Sequence, residues 1–351
     1  MRISIAAAAQ RVVDGRREFD LDALVAECRA AERAGFYAAY TGERRASGTT
    51  SYSHNPFLVS SFMLANTERL RVGAGIVVLP LHHPVTVVQD ASLLSRLYDG
   101  RFRLGLGAGY TDADFEALGV PLSERPRRME SGLRAIDAYR NGRDHELEAP
   151  YRGSVPRRDE ALGPDRLDVM AGGWSVNGVR RAARYTDGWI TGPLDTVQAL
   201  AEMAEIYRAE CHSLGKTPHV VVLREAWLDE TDTRAREVYG PYVLAYHQTY
   251  LRRGKVYEPR FDPWIDDVAG PDDLTLDHVL PNRVLCGSID TWRRELDTWQ
   301  EVLAPDELIL RLRHVDGPSI ESTVEAIERI GTEIVPHYGD DQHDTTTDAV
   351  R

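Results

Sequence analysis

The sequence predicts a (β/α)8 TIM barrel with a long insertion before its last strand. Short β-like runs alternate strictly with longer amphipathic runs, and the strand–helix pairs number eight. Several of the β-like runs, 70–79 above all, are apolar nearly throughout, as strands buried on both faces must be. Eight such pairs favour a closed barrel over an open sheet, and in a barrel each functional loop follows the C-terminal end of a strand.

Taken in order, the first strand is read over 2–8. The helix at 21–34 follows, with Leu21, Leu24, Val25, Cys28 and Ala31 at helical spacing and Gly35 as its stop. The second strand, 36–41, leads into a polar loop and a helix over 55–66. The third, 70–79, precedes a helix over 85–98, and the fourth, 102–106, precedes helical pieces over 112–118 and 127–140. A charged, proline-containing loop at 141–166 is expected to be exposed. Strands at 167–171, 188–191 and 220–227 alternate with helices at 176–185 and 195–214. The insertion spans 229–287. A helix over 289–303, the last strand at 307–312 and a helix over 320–334 complete the pattern. We therefore expect a single domain over 1–336, and a disordered acidic tail over 337–351.

A chain of 351 residues with 42% hydrophobic and 28% charged residues is ordinary for a soluble globular protein. Its net charge of -13 argues against nucleic acid or an anionic membrane as the main partner, because both favour a basic face. The cysteines are Cys28, Cys211 and Cys286: an odd number, widely spaced, without a CxxC pair. Neither a disulfide framework nor a metal site is expected from them. With no signal-peptide pattern at the N-terminus and no apolar run of membrane-spanning length, the expected location is cytoplasmic.

Three glycine-bearing stretches carry the chemical signal. In the first, Gly73 and Gly75 sit inside an apolar strand. Such glycines mark a bulge or a close approach to the backbone, with tight barrel packing as the equal alternative. In the second, a strand runs into Gly107-Ala108-Gly109-Tyr110. Gly105, Gly107 and Gly109 alternate and residue 112 is Asp, so this is no dinucleotide fingerprint, but glycine there would let a flat ring lie on the backbone. In the third, Gly172-Gly173-Trp174-Ser175 ends a strand and opens a helix. Exposed N–H groups at a helix start suit a phosphate, and plain capping by Ser175 is the alternative.

The order of these pieces resembles the bacterial luciferase-like flavin-dependent oxidoreductases. The resemblance rests on Tyr40-Thr41-Gly42-Glu43, Thr67 through Gly73, His83-Pro84, Asp99-Gly100-Arg101 through Tyr110, Phe115-Glu116, Gly119, Arg125 and Arg128. It continues in Gly172-Gly173, the helix at 180–183, Asp187-Gly188-Trp189 and Leu285 through Ser288. It covers most of 1–336 and implies a cofactor ring at the C-terminal face of the barrel. It also implies a non-prolyl cis peptide at Gly75-Ile76 behind that ring, with Gly107, Ala108, Gly109 and Tyr110 beside it. Gly172, Gly173 and Ser175 would then hold the phosphate, and the insertion would shape the substrate pocket.

One departure stands out. Many relatives carry His after the glutamate that ends the second strand, whereas this chain has Glu43-Arg44-Arg45. Arginine stays protonated and cannot act as a base. Either the reaction differs from that of the His-bearing relatives or another group supplies the proton, and among His54, His82, His83 and His247 the expected one is His83, beside Pro84 at the catalytic end. Glu43 could accept a substrate proton or simply hold Arg44. Catalytic candidates are thus Glu43, Arg44 and His83. The tyrosines of the insertion, Tyr239, Tyr242, Tyr246 and Tyr250, lie at helical spacing, so they read as a packing face before a pocket lining.

The resemblance implies a monooxygenase that uses reduced FMN, supplied by a separate reductase, and O2 to oxidise a small organic substrate. The alternative is hydride transfer with the deazaflavin coenzyme F420, for whose acidic tail Arg44 and Arg45 would suit. A second alternative is a non-catalytic flavin or metabolite binder. A homodimer through the helices after strands two and three is expected from the resemblance.

Overall fold

The computed structural model describes residues 1–44, 53–143, 146, 151, 167–254 and 257–338. In chain order it runs β1 (Arg2–Ala6), β2 (Gln10–Val13), β3 (Arg16–Phe19), α1 (Leu21–Arg33), β4 (Ala38–Thr41), α2 (Pro56–Ala65), β5 (Arg71–Val78) and α3 (Pro84–Leu97). Next come β6 (Phe102–Gly107), α4 (Asp112–Glu116), α5 (Arg125–Arg140), β7 (Asp168–Gly172), α6 (Val176–Tyr185), β8 (Gly188–Ile190), α7 (Val197–Ser213) and β9 (Val220–Leu228). The chain finishes with α8 (Asp232–Arg252), α9 (Leu276–Val279), β10 (Leu285–Gly287), α10 (Ile289–Val302), β11 (Glu307–Arg311), α11 (Ile320–Glu333) and α12 (Val335–Tyr338).

The helices start where short polar side chains can satisfy the first free N–H groups. Asp20, Asn55, Ser175, Thr196, Thr231 and Ser319 each accept such a bond, and Pro56 and Pro84 occupy first-turn positions where no N–H is needed. Strands β1, β4, β5, β6, β7, β8, β9 and β11 pair in parallel, and β8 with β9 and β11 with β1 close the ring. This is the expected (β/α)8 barrel.

Two elements escaped the sequence reading. The hairpin β2–β3 sits in the loop after β1 and is tied by Val12 N–H to the carbonyl of Val315. Its residues are largely exposed and too short and charged to read as core strands. The insertion also carries β10, which pairs with Ala226, Trp227 and Leu228, where β9 runs past its pairing with β11. The loop expected at 141–166 and the tail beyond residue 338 lie almost wholly or wholly outside the described residues. No helix among the described residues is long and apolar enough to cross a membrane.

The barrel interior is polar at its N-terminal end. Glu307, at the start of β11, accepts hydrogen bonds from Ser4 (2.7 Å) and Tyr40 (2.9 Å), and forms an ion pair with Arg103. All four side chains are buried. Despite burial, which opposes charge, Arg103 beside it holds the Glu307 carboxyl well below the usual range, and Glu307 and Tyr40 hold Arg103 protonated. Packed together with Tyr40 are Ala38, Met170, Ile190, Val221 and Ile309. Gly73 is explained here, because a Cβ would collide with the Tyr40 ring, so the packing alternative holds at that position.

A buried pair loses far more when one partner goes than when both do. Glu307→Gln should lower stability by about 3–5 kcal/mol in urea unfolding followed by tryptophan fluorescence. The double variant Arg103→Met/Glu307→Leu should lose clearly less, and equal losses would mean that the pair is not what fills the floor.

Candidate functional site

The C-terminal end of the barrel is hollow. Interior side chains Ala6, Ile76 and Leu223, which pack on the apolar layer, are only half-buried, as are the backbone positions Gly75, Gly172 and Gly173. Small residues at a strand end leave room for a flat group.

The wall at β5 has an irregular backbone. Ala74 pairs with Leu104 and Val77 with Leu106, so β5 carries one residue more than β6 across that step. The extra residue falls at Gly75-Ile76, whose peptide bond is cis, as the resemblance implied. The Ile76 side chain lies over β6, where a Cβ on Gly107 would come within 2.6 Å of its Cδ1. Gly109 has φ +69°, and a Cβ there would also meet Val78 at 2.5 Å, so only glycine fits. Arg125 donates to the Gly109 carbonyl at 3.0 Å and holds that turn.

Glu43 clips this bulge. Its N–H donates to the Ile76 carbonyl (3.0 Å), and its carboxylate accepts from Val78 N–H (2.8 Å) and meets His82 Nε2 at 2.9 Å. The side chain has no exposure. The Glu43 carboxylate thus lies between the bulge and His82. The histidine brought to Glu43 is His82. His83, the expected proton carrier, is exposed and sets its ring edge-on to Tyr151 at 5.2 Å. It precedes Pro84 at the helix start, and that local geometry turns its side chain outward.

Arg44 is buried at the rim and bonded through its two terminal nitrogens. It donates to Tyr110 (2.7 Å) and Thr111 and pairs with Asp114 at 3.2 Å. Although burial opposes its charge, Tyr110, Asp114 and Tyr250 raise its pKa. Tyr110 in turn hydrogen-bonds Tyr250 of α8 and lies 5.5 Å from Trp174. Burial, with Tyr246 and Tyr110 alongside, pushes the Tyr250 phenol well up. Arg45 lies outside the described residues.

On the third loop, Trp174 is 49% exposed and leans on Gly192, where a Cβ would lie 2.5 Å from its indole nitrogen. Gly173 packs against the first turn of α6, since a Cβ there would approach Gly178 to 2.7 Å. Gly172 is different: a Cβ there would meet the Leu106 and Ile190 carbonyl oxygens at 3.6 and 3.7 Å, an ordinary contact that leaves the position uncrowded. Ser175 Oγ accepts from Gly178 N–H at 3.2 Å and so caps α6. Trp189 is core, with its indole donating to the Gly173 carbonyl.

Sequence reasoning missed a second cluster. Glu225 and Arg311 are register partners facing into the barrel, one interior step above Leu223 and Ile309. Arg311 pairs with Glu225 Oε1 at 2.7 Å, while Oε2 accepts from Tyr239 (2.6 Å) and meets His314 Nε2 at 2.8 Å. Tyr246 covers Arg311 at 5.2 Å and His314 at 5.7 Å. The tyrosine series of α8 is therefore a packing face, but one turned onto the barrel mouth. A charged residue within each of two apolar strands, Glu225 and Arg311, was the available signal. Among the described residues no group of His, Cys, Asp or Glu could hold a metal ion.

The family model described as luciferase-like monooxygenase matches residues 1–305, and the chain belongs to that family. The oxygenase component of a flavin-dependent trigonelline monooxygenase from Acinetobacter baylyi is 31% identical over 119 residues, 34% of this chain and 33% of that one. The chain spans 59% of the length of the first curated relatives it matches. Two solved structures share the fold. One is the oxygenating constituent of 3,6-diketocamphane monooxygenase from Pseudomonas putida in complex with FMN (TM-score 0.74, 19% identity, 96% of this chain and 99% of that one). The other is the coenzyme F420-dependent tetrahydromethanopterin reductase from Methanopyrus kandleri (TM-score 0.70, 16% identity, 96% and 99%).

Burial opposes the Glu225 charge, but His314 and Arg311 outweigh it and lower the pKa from 4.5 to about 2. A depressed folded pKa stabilises the fold above the unfolded value, and that stability is lost as pH falls through the folded one. Stability should thus decline between about pH 4.5 and 2, with Glu225 contributing about 1.4 kcal/mol per pH unit within that window. Glu225→Gln should be less stable at pH 7 and show a shallower acid decline in urea titrations at stepped pH. An unchanged slope would remove Glu225 from the acid response.

Proposed function

We propose that this protein is a flavin-dependent monooxygenase that uses reduced FMN and O2 to oxidise a small organic substrate. The observation that carries the reading is the half-buried interior of the barrel mouth, with the clipped Gly75-Ile76 bulge on one side and the uncrowded Gly172 on another. A flat ring would lie there against backbone rather than against bulky side chains. Family membership and the FMN-bound fold relative support the same cofactor.

Ile76, Gly107, Ala108, Gly109 and Tyr110 would border the ring, with Gly75 in the bulge behind it. The N-terminus of α6, with Gly172, Gly173 and Ser175, would take the phosphate. Reduced FMN would supply the electrons that activate O2, one oxygen atom entering the substrate and the other leaving as water. Glu43 positions the bulge, and Arg44 contributes a fixed positive charge beside Tyr110. The aromatic rim and α8 exclude water. A relative described as an oxygenase component supports a separate reductase as partner.

A second reading is coenzyme F420-dependent hydride transfer, favoured by the cationic rim. Burial lowers the Arg17 pKa on the hairpin, Asp316 opposes that and the Arg44 charge adds to it, so an acidic tail would find two guanidinium groups near each other. Anaerobic titration with reduced FMN, and separately with reduced F420, decides between them, with Trp174 fluorescence as reporter. Quenching by reduced FMN alone, absent in Trp174→Phe, is expected. Binding of F420 alone would transfer the assignment to hydride chemistry. Binding of neither below about 100 μM would leave a cofactor-independent role.

We also propose a homodimer. Leu58 on α2, with Leu93 and Leu97 on α3, expose 70%, 46% and 64% of their surface on two helices that pack together. Light scattering should give twice the chain mass, and Leu58→Asp/Leu97→Asp should give the monomer. A monomeric wild-type protein would dismiss the interface.

A further inference from the structure

The cluster of Glu225, Arg311, His314 and Tyr239 has no part in holding the bulge or the rim, yet it stands inside the mouth. Glu225 and Arg311 face inward directly above Leu223, a half-buried side chain of the hollow. Glu225 bonds Arg311 through one oxygen and Tyr239 and His314 through the other. A cluster that only closed the barrel could be made from the Glu225–Arg311 pair alone. Adding an imidazole gives it a second ring nitrogen that can accept a proton while the first is held by the carboxylate.

Among the described residues the other histidines do not offer this within the same group of side chains. His54, His83, His212 and His337 are exposed, and His219 lies beside Glu307 at the opposite end. His247 is bonded to Tyr257, and His278 stacks on Trp264 in the insertion. His82 forms the same kind of carboxylate pair, but with Glu43 at the β5 bulge. Arg44 cannot carry a proton.

The walls around the cluster are aromatic. Tyr246 packs on Tyr250 at 4.8 Å, Tyr250 on Tyr110 at 5.6 Å and Tyr110 on Trp174 at 5.5 Å, which makes a continuous band of rings from the cluster to the rim. Planar aromatic molecules pack well against such a band. Tyr239 already shows a phenol hydroxyl seated among Glu225, His314 and the Arg311 carbonyl.

We infer that the substrate is a planar aromatic molecule bearing an ionisable hydroxyl, and that His314, backed by Glu225, receives its proton. This rests on the oxygenase reading above. In the step the substrate O–H bond breaks and its proton moves to His314 Nδ1, which forms an imidazolium paired with the Glu225 carboxylate. The electron pair stays on the substrate oxygen, as an anion beside Arg311. Glu225, Arg311 and the phenols of Tyr239, Tyr242 and Tyr246 are the charged and titratable groups facing His314. An anionic ring is electron-rich, which suits it to accept an oxygen atom from an electrophilic donor. Glu225 is a positioning residue in this scheme, and His314 is the catalytic one.

The probe is 7-hydroxycoumarin, whose neutral and anionic forms have separate absorption bands, with 7-methoxycoumarin as the hydroxyl-blocked control. Wild-type protein should bind the hydroxyl compound at least 10-fold more tightly than the control and lower its ionisation midpoint by at least one pH unit. His314→Gln should abolish both effects while keeping control binding and reduced-FMN binding, which shows that it folds. Arg311→Met should weaken the anion selectively. A midpoint equal to that in water, or equal in wild type and His314→Gln, overturns the inference. Reduced FMN binding without coumarin binding sinks the substrate class and leaves the oxygenase reading intact. Coumarin binding with the shift but without FMN binding does the reverse.

Discussion

The buried contact between Glu307 and Arg103 is the constraint on which the rest of this barrel depends. Eight strands enclose a space that must be filled, and here the N-terminal half is filled by a charged pair with Ser4 and Tyr40 around it. Each charge is tolerable there only because the other is present. The Tyr40 ring completes the layer and occupies the space that Gly73 vacates. With one end plugged in this way, the other end can stay hollow without opening a channel through the barrel.

At the open end the geometry is set by backbone rather than by side-chain bulk. Glu43 binds β5 twice on either side of Val77, through its own N–H and through its carboxylate. That grip faces a strand with one residue too many, and it presents Ile76 to the hollow. The alternating glycines of β6 are the complement of this bulge: their lack of side chains is what allows Ile76 to lie flat. Arg44, one residue on, turns to the rim and joins Tyr110 and Tyr250, so two neighbouring residues serve two different walls.

The insertion contributes a lid as well as a variable appendage. β10 prolongs the sheet beside β9, and α8 leans its tyrosines over the mouth. Tyr239 reaches Glu225 from outside the barrel, and so couples the insertion to the cluster of Glu225, Arg311 and His314.

The sequence by itself determined the strand–helix order, the helix starts at Ser, Thr, Asn and Asp, and the glycine loops, because these follow from local periodicity and from backbone demands that few residues meet. It also showed that Arg44 stands where a proton carrier would be expected. Which histidine meets which carboxylate was decided only by tertiary structure. His82 and His83 are adjacent in sequence, yet one faces Glu43 and the other faces out, because the helix begins at Pro84. Glu225, Arg311 and His314 could not be grouped in advance, since 85 or more residues separate the first from the others, and only parallel registry between β9 and β11 places them side by side. Local sequence carries the propensities, whereas a site assembled across a closed barrel depends on strand register and on the direction each side chain takes from it.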